Sequence, residues 1–384
     1  MKIKVIKSGF KILWLLEAVL YIAIPFSVTS IQRLCYYSFY IINIVLFLYT
    51  IVNIQRNRIR LKKNNFKSLI IIILILVSLL ISCILNPEKF TFDVHFSAIM
   101  NYLGLIFSIF YVFFIDLDDT TIKEICGINV FIGILFCLLS FSSYAYTHEK
   151  LTTFLNLGYS NPNSTAIYIF LTISIILSFF EYIKSKKVKF FLLILIVYLI
   201  YLIFLTESRT CMVVAIALVI YSFWPFNINI ERTWVIISLI IPIFFLFLYS
   251  YLYENNYFID LVIMGKEFYS GREGYFVEVL NDLKNYLFFG NFGMYHLTNT
   301  HNGPLSVLAS LGISGLIFLY SYLYNSIKIL LNSKSKTSKM AIVSILVLLV
   351  QSSSEAAILV GGANFTVPIA TLFLVAKANK GVEL

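Results

Sequence analysis

Long apolar runs separated by short polar turns dominate this chain. Ser68 to Leu85 and Phe190 to Leu205 are almost free of charge, over lengths that, as helices, cross a hydrocarbon core of roughly 30 Å. Such runs occur at about 12–29, 34–53, 68–85, 96–115, 125–141, 165–183, 190–206, 211–226, 233–252, 302–323, 341–359 and 366–376. The pattern predicts an all-α, polytopic helical membrane protein of about twelve transmembrane helices. No repeat and no low-complexity linker interrupts it, so residues 1–384 read as one integral membrane domain.

Two turns are long, residues 142–164 and residues 253–301, the latter between the ninth and tenth spans. Long loops of this kind usually carry function. Within the second, Phe276, Val279, Leu280, Leu283 and Leu287 recur at helical spacing, with Glu273, Glu278, Asp282 and Lys284 on other faces. The spacing predicts an amphipathic helix over 271–289, lying on the membrane surface. Ser270 and Glu273 form the Ser-x-x-Glu pattern of a capping box. Arg272 then falls in the first turn, where free N–H groups and the helix dipole favour a phosphate.

Composition supports the class, since 60% hydrophobic and 12% charged residues leave too little polar surface for a soluble globule. With the amino terminus in the cytoplasm, 22 of the 29 Lys and Arg residues fall on the cytoplasmic side, the bias that orients membrane proteins. That distribution accounts for the net charge of +10 through short loops facing anionic lipid, and no nucleic-acid partner is expected. The basic, then apolar start lacks a small-residue cleavage site and reads as a retained first helix. The five cysteines (35, 83, 126, 137 and 211) lie in or beside apolar spans without a Cys-x-x-Cys pair, which suits packing rather than disulfides or zinc.

Against this background three residues stand out at span ends on the side opposite the basic loops. They are Arg209 in Thr206-Glu207-Ser208-Arg209-Thr210, Arg272, and His301 before Asn302-Gly303-Pro304. Each has an ordinary alternative: Arg209 snorkels or pairs with Glu207, Arg272 is a surface charge, His301 is a solvated residue at a helix start. Together, two guanidinium groups and an imidazole supply what a phosphate-bearing donor and a hydroxyl acceptor need. All four histidines (95, 148, 296 and 301) fall on that side without metal-ligand spacing, so no metal and no cofactor is expected. Glu355, in the outer part of a span, either pairs with an arginine, binds sugar hydroxyls or makes a structural hydrogen bond. Glu17 is expected near the cytoplasmic end of the first span, snorkelling or paired. The abundant Tyr and Phe suit either a glycan groove or interfacial packing.

In order and sidedness these elements resemble the bacterial O-antigen polymerase and O-antigen ligase superfamily, the Wzy and WaaL type. The resemblance runs from Asn161 to Leu323. It rests on Asn161-Pro162-Asn163, Glu207-Ser208-Arg209-Thr210, Gly271-Arg272, Gly290 to Gly293, His301-Asn302 and Leu311-Gly312-Ile313-Ser314-Gly315-Leu316. It implies a GT-C-like membrane fold and a metal-independent, inverting glycosyltransferase at the outer face of the bacterial cytoplasmic membrane. Donor and acceptor would be undecaprenyl-diphosphate-linked oligosaccharide units for O-antigen or capsule, with a chain-length regulator and a flippase as partners. His301, Arg209 and Arg272 would be catalytic, with Asn302, Glu207, Asn161, Asn163 and Glu355 around the substrate. The alternatives are the ligase, which transfers the glycan to lipid A core, and a polysaccharide transporter or flippase.

Overall fold

The structure, a computed structural model, describes residues 3–56, 63–85, 92–115, 118–149, 152–159, 161–223, 230–263, 266–269, 272–295, 301–333, 335–355, 357–360 and 362–377. The sequence features at Ser270, Gly271 and His296 lie outside these residues.

The chain is helical almost throughout. In order, the helices are α1 (Ile3–Ala23), α2 (Thr29–Arg56), α3 (Lys63–Leu85), α4 (Phe92–Val112), α5 (Asp119–Leu139), α6 (Pro162–Phe179), α7 (Lys186–Leu205), α8 (Arg209–Phe223), α9 (Arg232–Glu254), α10 (Glu273–Tyr286), α11 (Phe292–Tyr295), α12 (Gly303–Leu330), α13 (Lys336–Gln351), α14 (Ala357–Val360) and α15 (Ala363–Ala376). Two antiparallel hairpins decorate the long turns, β1 (Tyr146–Glu149) with β2 (Thr152–Leu155) and β3 (Val262–Ile263) with β4 (Lys266–Glu267). Among the described residues, eight helices are long and apolar enough to cross a membrane. The protein is thus an all-α polytopic membrane protein.

Helix α6 is apolar on every face, and residues 165–179 are all buried between α5, α7, α8, α13 and α15. The peripheral helices are apolar outward as well as inward. Phe190 and Val197 on α7 and Phe244 on α9 are each more than 60% exposed, as lipid contact requires. Basic residues gather at one end. There Lys7 and Lys11 of α1 pair with Asp118 and Glu124, and the Lys377 ammonium donates to the carbonyls of Phe113 and Ile115 at 2.6 and 2.9 Å. The Lys7 hydrogen bond holds the Asp118 carboxyl well below the usual carboxylate range.

Four expectations change. Helix α1 starts at Ile3 rather than near residue 12, because its lysines solvate one end without breaking the helix. Glu17 consequently lies in the half remote from the basic end and is 2% exposed, so it does not snorkel. The span expected at 341–359 is interrupted: α13 ends at Gln351, where the hydroxyls of Ser352, Ser353 and Ser354 bond back to the carbonyls of Leu349, Val350 and Gln351. The amphipathic helix starts two residues late, with Arg272 as its N-cap and no side-chain capping bond from it. Its apolar face, Phe276, Val279 and Leu283, is buried, with α10 packed on α9 and α12 rather than laid into lipid.

Helix α12 is broken at Gly312 (φ 67°, ψ −169°), and the loop after α10 inserts there. Ile313 and Ser314 N–H donate to the carbonyls of Leu287 and Phe288, and Asn291 N–H to that of Ala309. A Cβ on Gly312 would sit 2.4 Å from the Phe288 carbonyl, and one on Gly290 equally close to the Leu311 backbone. Both positions need glycine for the positive φ and for the close approach. Two separate sequence motifs thus form one backbone joint.

Candidate functional site

At the end of the bundle opposite the basic residues, the loop between α7 and α8, the α9–α10 connection, the start of α12 and the break after α13 enclose a cavity of about 610 Å³. Its wall includes Arg209, Arg272, His301, Glu355, Glu207 and Asn163. The structure therefore brings together the three candidate catalytic residues and three of the five residues expected around the substrate.

Each is positioned by its backbone. His301 adopts a left-handed conformation (φ 55°), one that histidine reaches more readily than bulky residues, immediately before the Asn302 N-cap of α12. Asn302 is fully buried; its Oδ1 accepts from Leu305 N–H at 2.9 Å and its Nδ2 donates to the Ser353 carbonyl at 3.0 Å. The Gly303 N–H donates to the Ser352 carbonyl. The carbonyls left unpaired where α13 ends are thus taken up by the start of α12, which holds His301 against Glu355. Glu207, also left-handed (φ 56°), makes the tight turn after α7 that delivers Arg209 as the first residue of α8.

Glu355 links the site. Its Oε1 lies 3.1 Å from His301 Nδ1 and 3.5 Å from Arg272 Nη2, and the residue is 3% exposed. Arg272 Nη1 also donates to the Ser354 carbonyl at 3.1 Å, which aims its fork between the broken helix and the cavity. A carboxylate only accepts, so the proton of a neutral His301 ring resides on Nδ1 and Nε2 is the basic nitrogen. Arg209 Nη2 donates to the Glu267 carbonyl at 3.2 Å, which ties it to hairpin β3–β4. The two guanidinium groups are therefore anchored independently in the wall of one cavity, an arrangement suited to a multiply charged anion.

Asn161 and Asn302 do not line the cavity. Asn161 is the N-cap of α6, its side chain accepting from Asn163 N–H at 2.8 Å, and like Asn302 it shapes a helix start that carries a wall residue. The aromatic wall also holds Phe245, Tyr249, Phe268 and Tyr269, which with Glu267 no sequence motif marks, and Phe276, which the sequence marks only as part of an amphipathic helix face. These rings pack at centroid distances of 5.0 to 6.0 Å around Tyr249 and Tyr269, and the Tyr249 hydroxyl donates to the Tyr269 carbonyl. Apart from the helical spacing of Phe276, their only signal was a general surplus of aromatic residues, which membrane packing explains equally well. Farther off, Tyr295 donates to Asp282 at 2.5 Å and locks α11 to α10; burial first, and that carboxylate second, keep its phenol well above its ordinary range. Among the described residues no group of three His, Cys, Asp or Glu side chains is arranged to hold a metal ion. Comparison with protein-family models, with curated proteins and with solved structures finds no match to this chain.

Proposed function

We propose that this protein is a membrane glycosyltransferase that polymerises lipid-linked oligosaccharide repeat units at the outer face of the bacterial cytoplasmic membrane. The observation that carries this reading is the contact series Arg272–Glu355–His301 in a cavity whose wall also holds Arg209. In this reading α1, α8, α13 and α15 are counted as spans together with the eight full-length helices, which gives the twelve expected from the sequence. The positive-inside bias puts the basic end in the cytoplasm and the cavity outside.

In the proposed reaction Arg209 and Arg272 hold the diphosphate of the donor. His301 Nε2 accepts the proton of an acceptor sugar hydroxyl as its oxygen attacks the anomeric carbon from the face opposite the diphosphate. The anomeric C–O bond breaks, its electron pair leaves on the lipid diphosphate, and the configuration inverts. The imidazolium formed is stabilised by Glu355, which does not itself move a proton. Developing negative charge on the leaving group meets two fixed cations, and no carboxylate nucleophile is required. The aromatic wall offers flat faces for sugar rings beside the phosphate clamp.

The test is purified protein supplied with undecaprenyl-diphosphate-linked repeat units, with product length read on a gel. A ladder of lengthening products is expected. Transfer to lipid A core without lengthening makes the protein a ligase. Movement of the substrate across reconstituted vesicles with no covalent change makes it a transporter.

A further inference from the structure

A second recess opens at the same end of the bundle, between α2, α4, α6 and α15, with a volume of about 340 Å³. We propose that this cleft binds a sugar unit of the lipid-linked glycan, a proposal that rests on the glycan-transfer reading of the His301 cavity. Its walls alternate flat rings, Tyr36, Tyr37 and Phe365 among them, with Arg33, Asn101 and Asn364. A pyranose presents an apolar C–H face bounded by hydroxyls, and rings interleaved with amide and hydroxyl groups complement both features.

The polar groups are organised rather than scattered. The Tyr40 hydroxyl donates to Asn101 Oδ1 at 3.0 Å and lies 3.0 Å from Ser97 Oγ. Asn364 Nδ2 reaches the Tyr36 hydroxyl at 3.4 Å, and Phe365 stacks on Tyr168 with centroids 4.5 Å apart. One buried polar atom of the wall, Asn364 Oδ1, lacks a hydrogen-bond partner among the described residues, and so does Tyr159 Oη, whose ring is tilted against that of Tyr168 with centroids 4.6 Å apart. Buried polar groups are normally satisfied, so Asn364 Oδ1 in the wall is an acceptor that a hydroxylated ligand can complete.

Two simpler occupants fit less well. A lipid tail would offer no hydrogen-bonding group to the Arg33, Ser97, Asn101 and Asn364 side chains that line the cleft. An interfacial aromatic belt would be shallow, whereas Arg33 and Tyr40 are seven residues apart on α2, about 10 Å along the helix axis. Helix α6 contributes to the walls of both cavities. Asn163 lines one and Tyr168 the other, five residues apart on α6, about 7.5 Å of rise. Glu355 borders the first cavity and Gly362 the second, on either side of α14. A short oligosaccharide spans that spacing, with one ring in the cleft and the next beside His301.

The experiment measures binding of oligosaccharides released by mild acid from the cell's own surface polysaccharide. It uses saturation-transfer NMR on the full chain in a detergent without a sugar headgroup, with polymerisation assayed separately. Tyr37→Ala, at a residue that is 59% exposed, and Phe365→Ala test the cleft, with thermal melting to verify folding. Binding weakened at least about tenfold in folded Tyr37→Ala or Phe365→Ala protein, and retained in His301→Ala, is the expected result. Binding unchanged in both cleft variants overturns the proposal, and if polymerisation persists the reading of the first cavity stands. Cleft-dependent binding in a protein that forms no polymer supports the cleft and removes the polymerase reading instead. A phospholipid retained in the cleft and not displaced by the oligosaccharide also overturns the proposal.

Discussion

His301 and Glu355, fifty-four residues apart in the chain, meet at 3.1 Å between Nδ1 and Oε1. That carboxylate is almost wholly buried and also faces Arg272, so the orientation of the imidazole and the aim of one guanidinium group depend on the same side chain. In the proposed reaction the base and half of the phosphate clamp are therefore set by one residue. Removing it should disturb both.

Loss of the imidazole tests the base directly. His301→Ala is expected to lower transfer by about 10² to 10⁴, the range for removing a general base, with melting temperature and donor binding little changed. Purified variant and lipid-linked repeat units suffice for the assay. A variant with wild-type turnover would falsify the assignment of His301 as base.

For Glu355, Ala and Gln should part company. Glu355→Ala leaves Arg272 facing an empty partner and is expected to destabilise the protein by about 1–3 kcal/mol, below the range for a fully buried pair because a quarter of the Arg272 side chain reaches solvent. Glu355→Gln keeps an acceptor for Nδ1 and should melt closer to wild type, while its transfer rate still falls at least about tenfold through loss of the charge that stabilises the imidazolium. Thermal unfolding and rate are read on the same preparations. Full activity in the Gln variant removes the carboxylate from the mechanism.

Lysine should replace neither arginine. It keeps the charge but loses the planar fork, so Arg272→Lys cannot bridge the Ser354 carbonyl, Glu355 and a diphosphate together. We expect a loss of about 2–5 kcal/mol in kcat/KM at either position where the phosphate contact is desolvated. Near-normal polymer from an Arg272→Ala strain with normal protein abundance excludes that side chain from the clamp.

The joint between Gly312 and the loop after α10 makes a structural prediction independent of function. Gly312→Ala places a Cβ 2.4 Å from the Phe288 carbonyl and asks alanine to hold φ 67°. The backbone conformation alone costs about 1–2 kcal/mol, and the overlap adds to it. Gly127→Ala, where a Cβ meets nothing within 4 Å, is the control and should melt at or above the wild-type temperature. Equal melting of the two variants would contradict the joint.

Orientation is tested at Asn255, exposed just beyond α9 on the chain that leads to Arg272 and His301. A cysteine placed there should react with a membrane-impermeant thiol reagent added to whole cells. So should one at Glu149 in the β1–β2 hairpin. Labelling of either only after lysis would put that loop in the cytoplasm and separate it from the substrate proposed here.

The sequence by itself determined the membrane class, the approximate positions of most helices, though not the start of α1 or the end of α13, and the segregation of basic residues to one end. All three follow from hydropathy and charge, which are properties of a residue and its immediate neighbours. It also singled out Arg209, Arg272 and His301, because polar residues at the ends of apolar spans are conspicuous. Only the tertiary structure decided that these residues share a cavity. Arg209 is tied to a carbonyl 58 residues away and Arg272 to one 82 residues away, and neither contact has a local signature. Glu355 shows the division most clearly. It reads as an acid within a continuous span, yet the three serines before it end the helix through their hydroxyls, and the stacking of α12 on that break turns it toward His301 and Arg272. Asn161 and Asn302 went the other way: beside candidate catalytic motifs they looked like ligands, but the backbone N–H groups of helix starts claimed their side chains first. The aromatic wall was hidden for a related reason, since in a membrane protein a ring facing lipid and a ring facing a cavity are written alike, and only packing tells them apart.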